Sequence, residues 1–314
     1  METTTLEIKK LLANQRNFFD SGQTKDTAFR KNALQTLYTI LRDNEKKLLA
    51  ALGQDLSKSA YEGYMTELGL TLEEIRFAQK HLSKWAKPRR VRTYRLQLPA
   101  SSYIYPEPYG ISLIISPWNY PCLLTMAPLI GSIAAGNCSV IKPSEHTPRT
   151  AGVIGEIIGQ GFDPGYIAVI EGDAQTSGQL LEEPFDYIFF TGSQTVGKIV
   201  MTAAARHLTP VTLELGGKSP CIVDRGVDLG RTAGRIVSGK LINAGQTCIA
   251  PDYLLVQRSV KAELLDRIQD QIKRFYGEDP HQSPDYPRIV NERQFDRLEK
   301  LLVHGRIISG GQSD

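Results

Sequence analysis

The chain has four cysteines, Cys122, Cys138, Cys221 and Cys248, and the last has the surroundings of a nucleophile. Cys248 follows a small, polar, glycine-containing turn in Asn243-Ala244-Gly245-Gln246-Thr247-Cys248-Ile249-Ala250-Pro251-Asp252-Tyr253. Such a turn holds a residue on an exposed, tightly shaped backbone. A thiol with a pKa near ~8.5 is only a few per cent thiolate at neutral pH, so attack on a carbonyl requires local help. Taken by itself, a lone cysteine is more often a small buried hydrophobe. Glu214, in Val211-Thr212-Leu213-Glu214-Leu215-Gly216-Gly217-Lys218, ends an apolar run ahead of two glycines. Partial burial there would raise its pKa and make it a base near neutrality. The plainer alternative is a salt bridge to Lys218 or a solvated turn residue.

Three further segments carry polar groups at the ends of apolar runs. Asn119 lies in Ser116-Pro117-Trp118-Asn119-Tyr120-Pro121, where two prolines stiffen the loop. A fixed amide NH2 can stabilise an oxyanion, although asparagine also caps turns. Lys142 and Glu145 follow a short apolar run in Val140-Ile141-Lys142-Pro143-Ser144-Glu145. The carboxyl ends of parallel strands bind ligands, and this pair could bond sugar hydroxyls; the alternative is an ordinary strand-end lysine and a glutamate near a helix start. Phe190-Thr191-Gly192-Ser193-Gln194-Thr195-Val196-Gly197-Lys198 runs from a strand into a helix, whose N-terminus favours anions. It is neither GxGxxG nor a P-loop, so as a general phosphate signature it is weak.

The elements around these residues follow from hydrophobic periodicity. Residues 1 to about 85 read as helical: Leu34, Leu37, Tyr38 and Leu41 repeat at three-four spacing, and Leu68, Leu72, Ile75 and Phe77 do much the same. Between Thr93 and Tyr105 the pattern alternates through Tyr94, Leu96 and Leu98, which predicts a strand or hairpin excursion. Apolar runs then recur at Ile111–Ile115, Ser139–Lys142, Ile167–Ile170 and Tyr187–Phe190, separated by helix-length stretches such as Thr147–Gly159 and Thr195–Arg206. Strands alternating with helices predict a parallel α/β sheet, and continuous apolar runs fit strands buried on both faces. A second α/β region begins near Val211. It holds runs at Pro220–Val223 and Tyr253–Val256, helices to about Ala244, over Val260–Phe275 and over Glu292–Val303, and a short strand at Arg306–Ile308. The sequence stops on the turn residues Gly310 to Asp314.

Composition narrows the class. With 314 residues, two domains are the prior. A net charge of +3, from 37 Lys and Arg against 34 Asp and Glu, gives no reason to expect nucleic acid. The densest basic cluster, Lys84, Lys87, Arg89, Arg90, Arg92 and Arg95, reads as a solvated connector rather than an anion patch. The cysteines show no CxxC spacing, which argues against a zinc site and a disulfide scaffold and suits a reducing compartment. No charge occurs between Pro108 and Ile141, but Pro117, Pro121, Pro128 and several Gly and Asn residues break that stretch. It reads as strand, loop, buried helix and strand rather than a membrane span. The start, METTTLEIKK, lacks the apolar core of a secretion signal, so the cytoplasm is the expected location.

Pro-Trp-Asn-Tyr-Pro, Lys-Pro-Ser-Glu, Phe-Thr-Gly-Ser, Leu-Glu-Leu-Gly-Gly-Lys and Gly-Gln-Thr-Cys occur in the order found in aldehyde dehydrogenases, and the chain resembles that family along essentially all its length. Ala-Pro-Asp-Tyr after the cysteine resembles the class 3 branch. The resemblance implies a Rossmann-like parallel-sheet cofactor domain over residues 1–210 and an incomplete α/β catalytic domain over 211–314. It implies oxidation of an aldehyde to a carboxylic acid with NAD(P) as hydride acceptor. Cys248 would form the thiohemiacetal and thioester, Asn119 would line the oxyanion hole, and Glu214 would activate the hydrolytic water. Lys142 and Glu145 would hold the adenosine ribose, with Gly192, Ser193 and Gly197 at the pyrophosphate. Glu145 favours NAD, with NADP possible, because a carboxylate beside the ribose repels a 2′-phosphate.

Several expectations follow from the family pattern as a whole. The substrate is a medium- or long-chain aliphatic or aromatic aldehyde, no metal takes part, and an intact chain forms a homodimer. The family's Glu-Glu-Ile-Phe-Gly-Pro-like motif is not found in the 314 residues, so the chain reads as C-terminally truncated and poorly active by itself. Two other classes compete with the dehydrogenase. A cysteine-dependent esterase or acyl transferase would need a histidine base, yet His207, His281 and His304 lie in no nucleophile motif. An inactive cofactor-binding fragment would bind nucleotide without turnover.

Overall fold

The computed structural model describes residues 4–313. Helices α1 (Thr5–Asp20), α2 (Thr27–Asp43), α3 (Glu45–Leu56) and α4 (Ala60–Gly63) come first, and a π-helical turn at Tyr64–Leu68 leads into α5 (Gly69–Trp85). Strands β1 (Arg89–Val91) and β2 (Ser102–Ile104) form an antiparallel ribbon. Then β3 (Ile111–Ile115), α6 (Leu123–Ala135), β4 (Cys138–Lys142), α7 (Pro148–Gly161), β5 (Ile167–Val169), α8 (Ala174–Leu181), β6 (Tyr187–Gly192), α9 (Gln194–Ala205) and β7 (Val211–Leu215) alternate as the periodicity predicts. The chain continues through β8 (Ser219–Val223), α10 (Leu229–Leu241), β9 (Pro251–Val256), α11 (Lys261–Tyr276) and α12 (Glu292–Glu299).

Contacts group the chain into two compact units. The first contains the residues up to Leu48 and Met65–Glu214; the second contains Leu49–Tyr64 and the residues from Leu215 onward. The sequence leads to the expectation of a single boundary at 210/211; two features distinguish the contact grouping from it. β7 joins the sheet of the first unit as its edge strand. The segment around α4 bonds within the second unit, where the Leu56 carbonyl accepts from the Arg288 N–H at 2.9 Å.

The first unit is built on one sheet in the order β5-β4-β3-β6-β7. β3 is central and wholly buried, and it pairs parallel with both β4 and β6. Helix α1 is stapled to the sheet by Gln15, whose Nε2 donates to the carbonyls of Ser139 and Pro164, each at 3.0 Å. Helix α6 is held by a buried hydroxyl cluster: Ser132 on the helix lies 2.8 Å from Ser112 on β3 and 2.8 Å from Ser139 on β4. Buried polar groups are tolerated when they satisfy one another, as these do.

Helix α6 contains no charged residue, and charge reaches both of its ends from the N-terminal helices. At the start, the buried Glu67 carboxylate accepts from the N–H groups of Cys122 at 2.7 Å and Leu123 at 3.3 Å. At the end, the buried Arg30 guanidinium donates to the Ala134 carbonyl at 3.3 Å and to the Thr24 and Lys25 carbonyls. Burial pulls the Arg30 pKa below its ordinary value, more than nearby Tyr166, Glu107 and Asp26 raise it. Anionic groups at a helix start and cationic groups at its end match both the unpaired backbone groups and the helix dipole.

The second unit has a two-stranded parallel sheet, β8 beside β9. Its core is Val223, Ala233, Ile236 and Leu264, with Cys221, Leu254 and Ile268 packed against it.

The hairpin excursion is present as the β1–β2 ribbon, but three local details differ. The alternation through Tyr94, Leu96 and Leu98 does not itself form a strand: the three side chains are exposed, and Arg95–Gln97 is a 3-10 turn inside the ribbon. The paired strands flank it at Arg89–Val91 and Ser102–Ile104. Arg306–Ile308 also forms no strand, because no ladder partner reaches it among the described residues; the helix before it stops at Glu299 and a 3-10 turn follows at Leu302–His304. Asp314 lies outside the described residues. Phe77, placed on a buried stripe by its spacing, is exposed and makes tilted ring contacts with His81 and Trp85 along α5. The uncharged stretch from Pro108 does resolve into strand, loop, buried helix and strand, and no described helix is long and apolar enough to cross a membrane.

Replacing Glu67 with alanine strands one buried and one half-buried N–H group at the start of α6. Glu67→Ala is expected to lose about 3 kcal/mol in urea denaturation, and Glu67→Gln, which keeps an acceptor, about 1 kcal/mol. Equal stability of the two variants would show that the cap contributes little.

Candidate active site

In the first unit, register alignment brings the candidate residues to one edge. Ile115 on β3 pairs with Lys142 on β4 and with Phe190 on β6, so these strands reach their carboxyl ends side by side. From β3 the chain passes to β4 on one side; from β6 it passes to β7 on the other. The strand order therefore reverses between β3 and β6, and the crevice at the carboxyl ends there is where open α/β sheets bind ligands. Asn119 leaves the end of β3 and Ser193 the end of β6, while Lys142 and Glu145 stand one strand over.

Asn119 is half-buried in the loop that Glu67 anchors where α6 begins. Lys142 is 2% exposed, and its Nζ donates to Glu145 Oε2 at 2.8 Å and to the Pro143 carbonyl at 3.0 Å. Burial works to raise the Glu145 pKa, but hydrogen bonds from Lys142 and the backbone, with the Lys142 charge, outweigh it and hold the carboxyl below its ordinary range. The two residues are thus brought together, as an ion pair at the strand end.

Two features of the β6–α9 turn bear on its glycines. A Cβ on Gly192 would lie 2.5 Å from the Phe190 ring, so this glycine makes room for a buried phenylalanine rather than leaving an open approach. Gly197 is buried inside α9, and its N–H already donates to the Ser193 carbonyl at 2.9 Å. It supports the helix but has no donor left for an anion. Ser193 is the N-cap, its hydroxyl accepting from the Val196 N–H at 3.2 Å. Glu214, expected to be partly buried, is exposed, because β7 is an edge strand with one paired neighbour. Lys218 does not pair with Glu214; its Nζ lies 3.1 Å from Asp252.

In the second unit, Cys248 is exposed at the end of a strained turn. Asn243, Ala244 and Gly245 are consecutively left-handed, with φ of 55°, 51° and 78°. Non-glycine residues in that region cost energy and persist only where surroundings fix them. Gln246 supplies much of the fixing: its Nε2 donates to the carbonyls of Asn243 at 3.0 Å and Arg288 at 3.1 Å, and its Oε1 accepts from the Val290 N–H at 3.0 Å. Gly217 fits against the cysteine itself, since a Cβ there would lie 2.7 Å from the Cys248 carbonyl oxygen. Neither Gln246 nor Gly217 stands out in the sequence as a site residue. The signal was present in both motifs, as a glutamine two positions before the cysteine and a second glycine after a strand, but only packing shows what they touch.

The other thiols differ sharply. Cys122 and Cys138 are buried, and burial pushes Cys138 up to about 12. Iodoacetamide at neutral pH is therefore expected to label Cys248 at least about tenfold faster than Cys138, as read by peptide mass mapping. Equal labelling would remove the case for a distinctive Cys248.

The sequence profile described as "Aldehyde dehydrogenase family" matches residues 1–310. A Staphylococcus aureus protein named 4,4'-diaponeurosporen-aldehyde dehydrogenase is 48% identical over 309 residues, which is 98% of this chain and 67% of that protein. Human "Aldehyde dehydrogenase family 3 member B1" is 48% identical over 303 residues, 96% of this chain and 65% of its own length. The structure titled "Substrate bound state of Staphylococcus Aureus AldH" superposes with a TM-score of 0.94 at 48% identity, covering 98% of this chain and 68% of that one. The chain thus spans about two thirds of the length of these relatives.

Proposed function

The chain belongs to the aldehyde dehydrogenase family, and from that premise we propose that it oxidises an aldehyde to a carboxylic acid with a nicotinamide cofactor and Cys248 as nucleophile. The observation that carries this reading is the state of Cys248: of four cysteines it is the exposed one, and it ends a left-handed turn held by Gln246 and Gly217. In this reading the Cys248 thiolate adds to the aldehyde carbonyl. The oxyanion that develops is stabilised by the Asn119 side-chain NH2 and the Cys248 N–H. After oxidation, Cys248 carries a thioester, which water opens with Glu214 as base. An exposed carboxylate has access to that water.

The residues at the first unit's sheet edge fit a dinucleotide by their chemistry. Lys142 and Glu145 offer a donor and an acceptor for ribose hydroxyls at a strand end beside the topological switch. Ser193 opens a twelve-residue helix whose first-turn N–H groups face an incoming anion, and so would take a pyrophosphate. When bound, the nicotinamide supplies the acceptor for the hydride that leaves the substrate carbon.

The test is NADH absorbance with NAD and a panel of aliphatic and aromatic aldehydes, beside Cys248→Ala, with cofactor binding followed by calorimetry. Cys248→Ala is expected to lower turnover at least about 10³-fold and leave NAD binding intact. NADH production that survives the substitution would overturn the role of Cys248. Ester cleavage without NADH would point to the acyl-transfer reading instead.

The Glu145 carboxylate makes NAD the preferred cofactor. Glu145→Gln is expected to lower the Kd for NADP by roughly tenfold and change that for NAD by less than about threefold. A wild-type preference for NADP would contradict this.

A further inference from the structure

Glu62 is a carboxylate that nothing in the proposed chemistry uses, yet it is 7% exposed and belongs to the second unit. Its Oε1 accepts from the N–H of Asn243 at 2.7 Å. Asn243 is itself wholly buried and is the first of the three left-handed residues that lead to Cys248. Glu62 sits in α4, a single turn whose own start is fixed by Ser59, whose hydroxyl accepts from the Glu62 N–H at 3.3 Å. The carboxylate is therefore presented from a capped turn. Across from it is Tyr276, pushed up to about 12 by its own burial first and then by the Glu62 charge.

We infer that Glu62 is a positioning residue for the nucleophile: its carboxylate locks the Asn243 amide and so fixes the left-handed turn that presents Cys248. The inference rests on the reading of Cys248 as nucleophile only for its functional meaning. The lock itself is a statement about the turn. A left-handed Asn-Ala pair relaxes toward ordinary backbone unless its amides are held, and each hydrogen bond to a charged acceptor is among the stronger constraints available. Gln246 grips the same turn from its carbonyl side, through the Asn243 oxygen at 3.0 Å. Glu62 grips it from the N–H side. With both in place, the Asn243 peptide groups on either side of its Cα are fixed.

Hydrogen exchange on the full chain, resolved for the peptide spanning residues 241–248, tests this in three variants. Glu62→Gln keeps an acceptor at the same reach and is expected to stay within about threefold of the parent exchange rate. Glu62→Asp keeps the charge but draws the carboxylate back by one methylene, and is expected to raise exchange at least about tenfold, as is Glu62→Ala. Exchange in strands β3 and β4 should not move in any of them, which separates loss of the lock from unfolding. Alongside, the rate at which iodoacetamide labels Cys248 should shift in Glu62→Asp and return in Glu62→Gln, while labelling of Cys221 stays constant. Unchanged exchange in Glu62→Asp, or a glutamine variant no better protected than the aspartate, overturns the inference. Neither readout depends on turnover, so a failure of the Cys248 assignment would appear separately, as NADH production that survives Cys248→Ala.

Discussion

Helix α6 depends on charges it does not own. Its sequence, Leu123–Ala135, is apolar and small, and it is buried between the sheet and the N-terminal helices. Buried termini without partners would each leave several backbone groups unsatisfied. Glu67 satisfies the start, Arg30 the end, and the Ser112–Ser132–Ser139 cluster fixes the helix on β3 and β4. The loop carrying Asn119 runs from the end of β3 to this helix, so its path is set from both sides. The precision of that loop derives from residues more than fifty positions away in sequence.

The turn before Cys248 solves a similar problem by different means. Its backbone adopts conformations that asparagine tolerates and alanine does not favour. Side chains from separate stretches hold it there: Glu62 on the Asn243 N–H, Gln246 on the Asn243 carbonyl, and the bare backbone of Gly217 against Cys248. A reactive thiol that must be exposed cannot be positioned by burial, so its position has to come from the backbone beneath it.

Much of this was legible in the chain itself. The alternation of apolar runs and helix-length spacers gives the central sheet, because strands buried on both faces carry near-continuous apolar runs, as at Ile111–Ile115, where the one polar residue, Ser112, is bonded within the core. Motif order gives the family because five short segments in one fixed order along the chain do not coincide by chance. What periodicity could not reveal are features set by long-range partners. Tyr94, Leu96 and Leu98 alternate like a strand but find no ladder there, and Arg306–Ile308 has none either. Glu214 reads as the end of a buried strand, yet an edge position leaves it exposed. Gly192 sits against the Phe190 ring and Gly197 donates within its helix, two contacts that periodicity could not reveal. Glu62 and Glu67 carried no local signal, since a glutamate within a helical pattern ordinarily faces water.

The direction of the chain gives the α6 arrangement one more consequence. Both of its charged partners lie upstream, at residues 30 and 67, and the helix itself begins at Leu123. A polypeptide made from its N-terminus has already emerged with both partners before the apolar segment that needs them exists. This apolar helix therefore enters a setting where the groups that will terminate it are already waiting, and the order of synthesis coincides with the order of need.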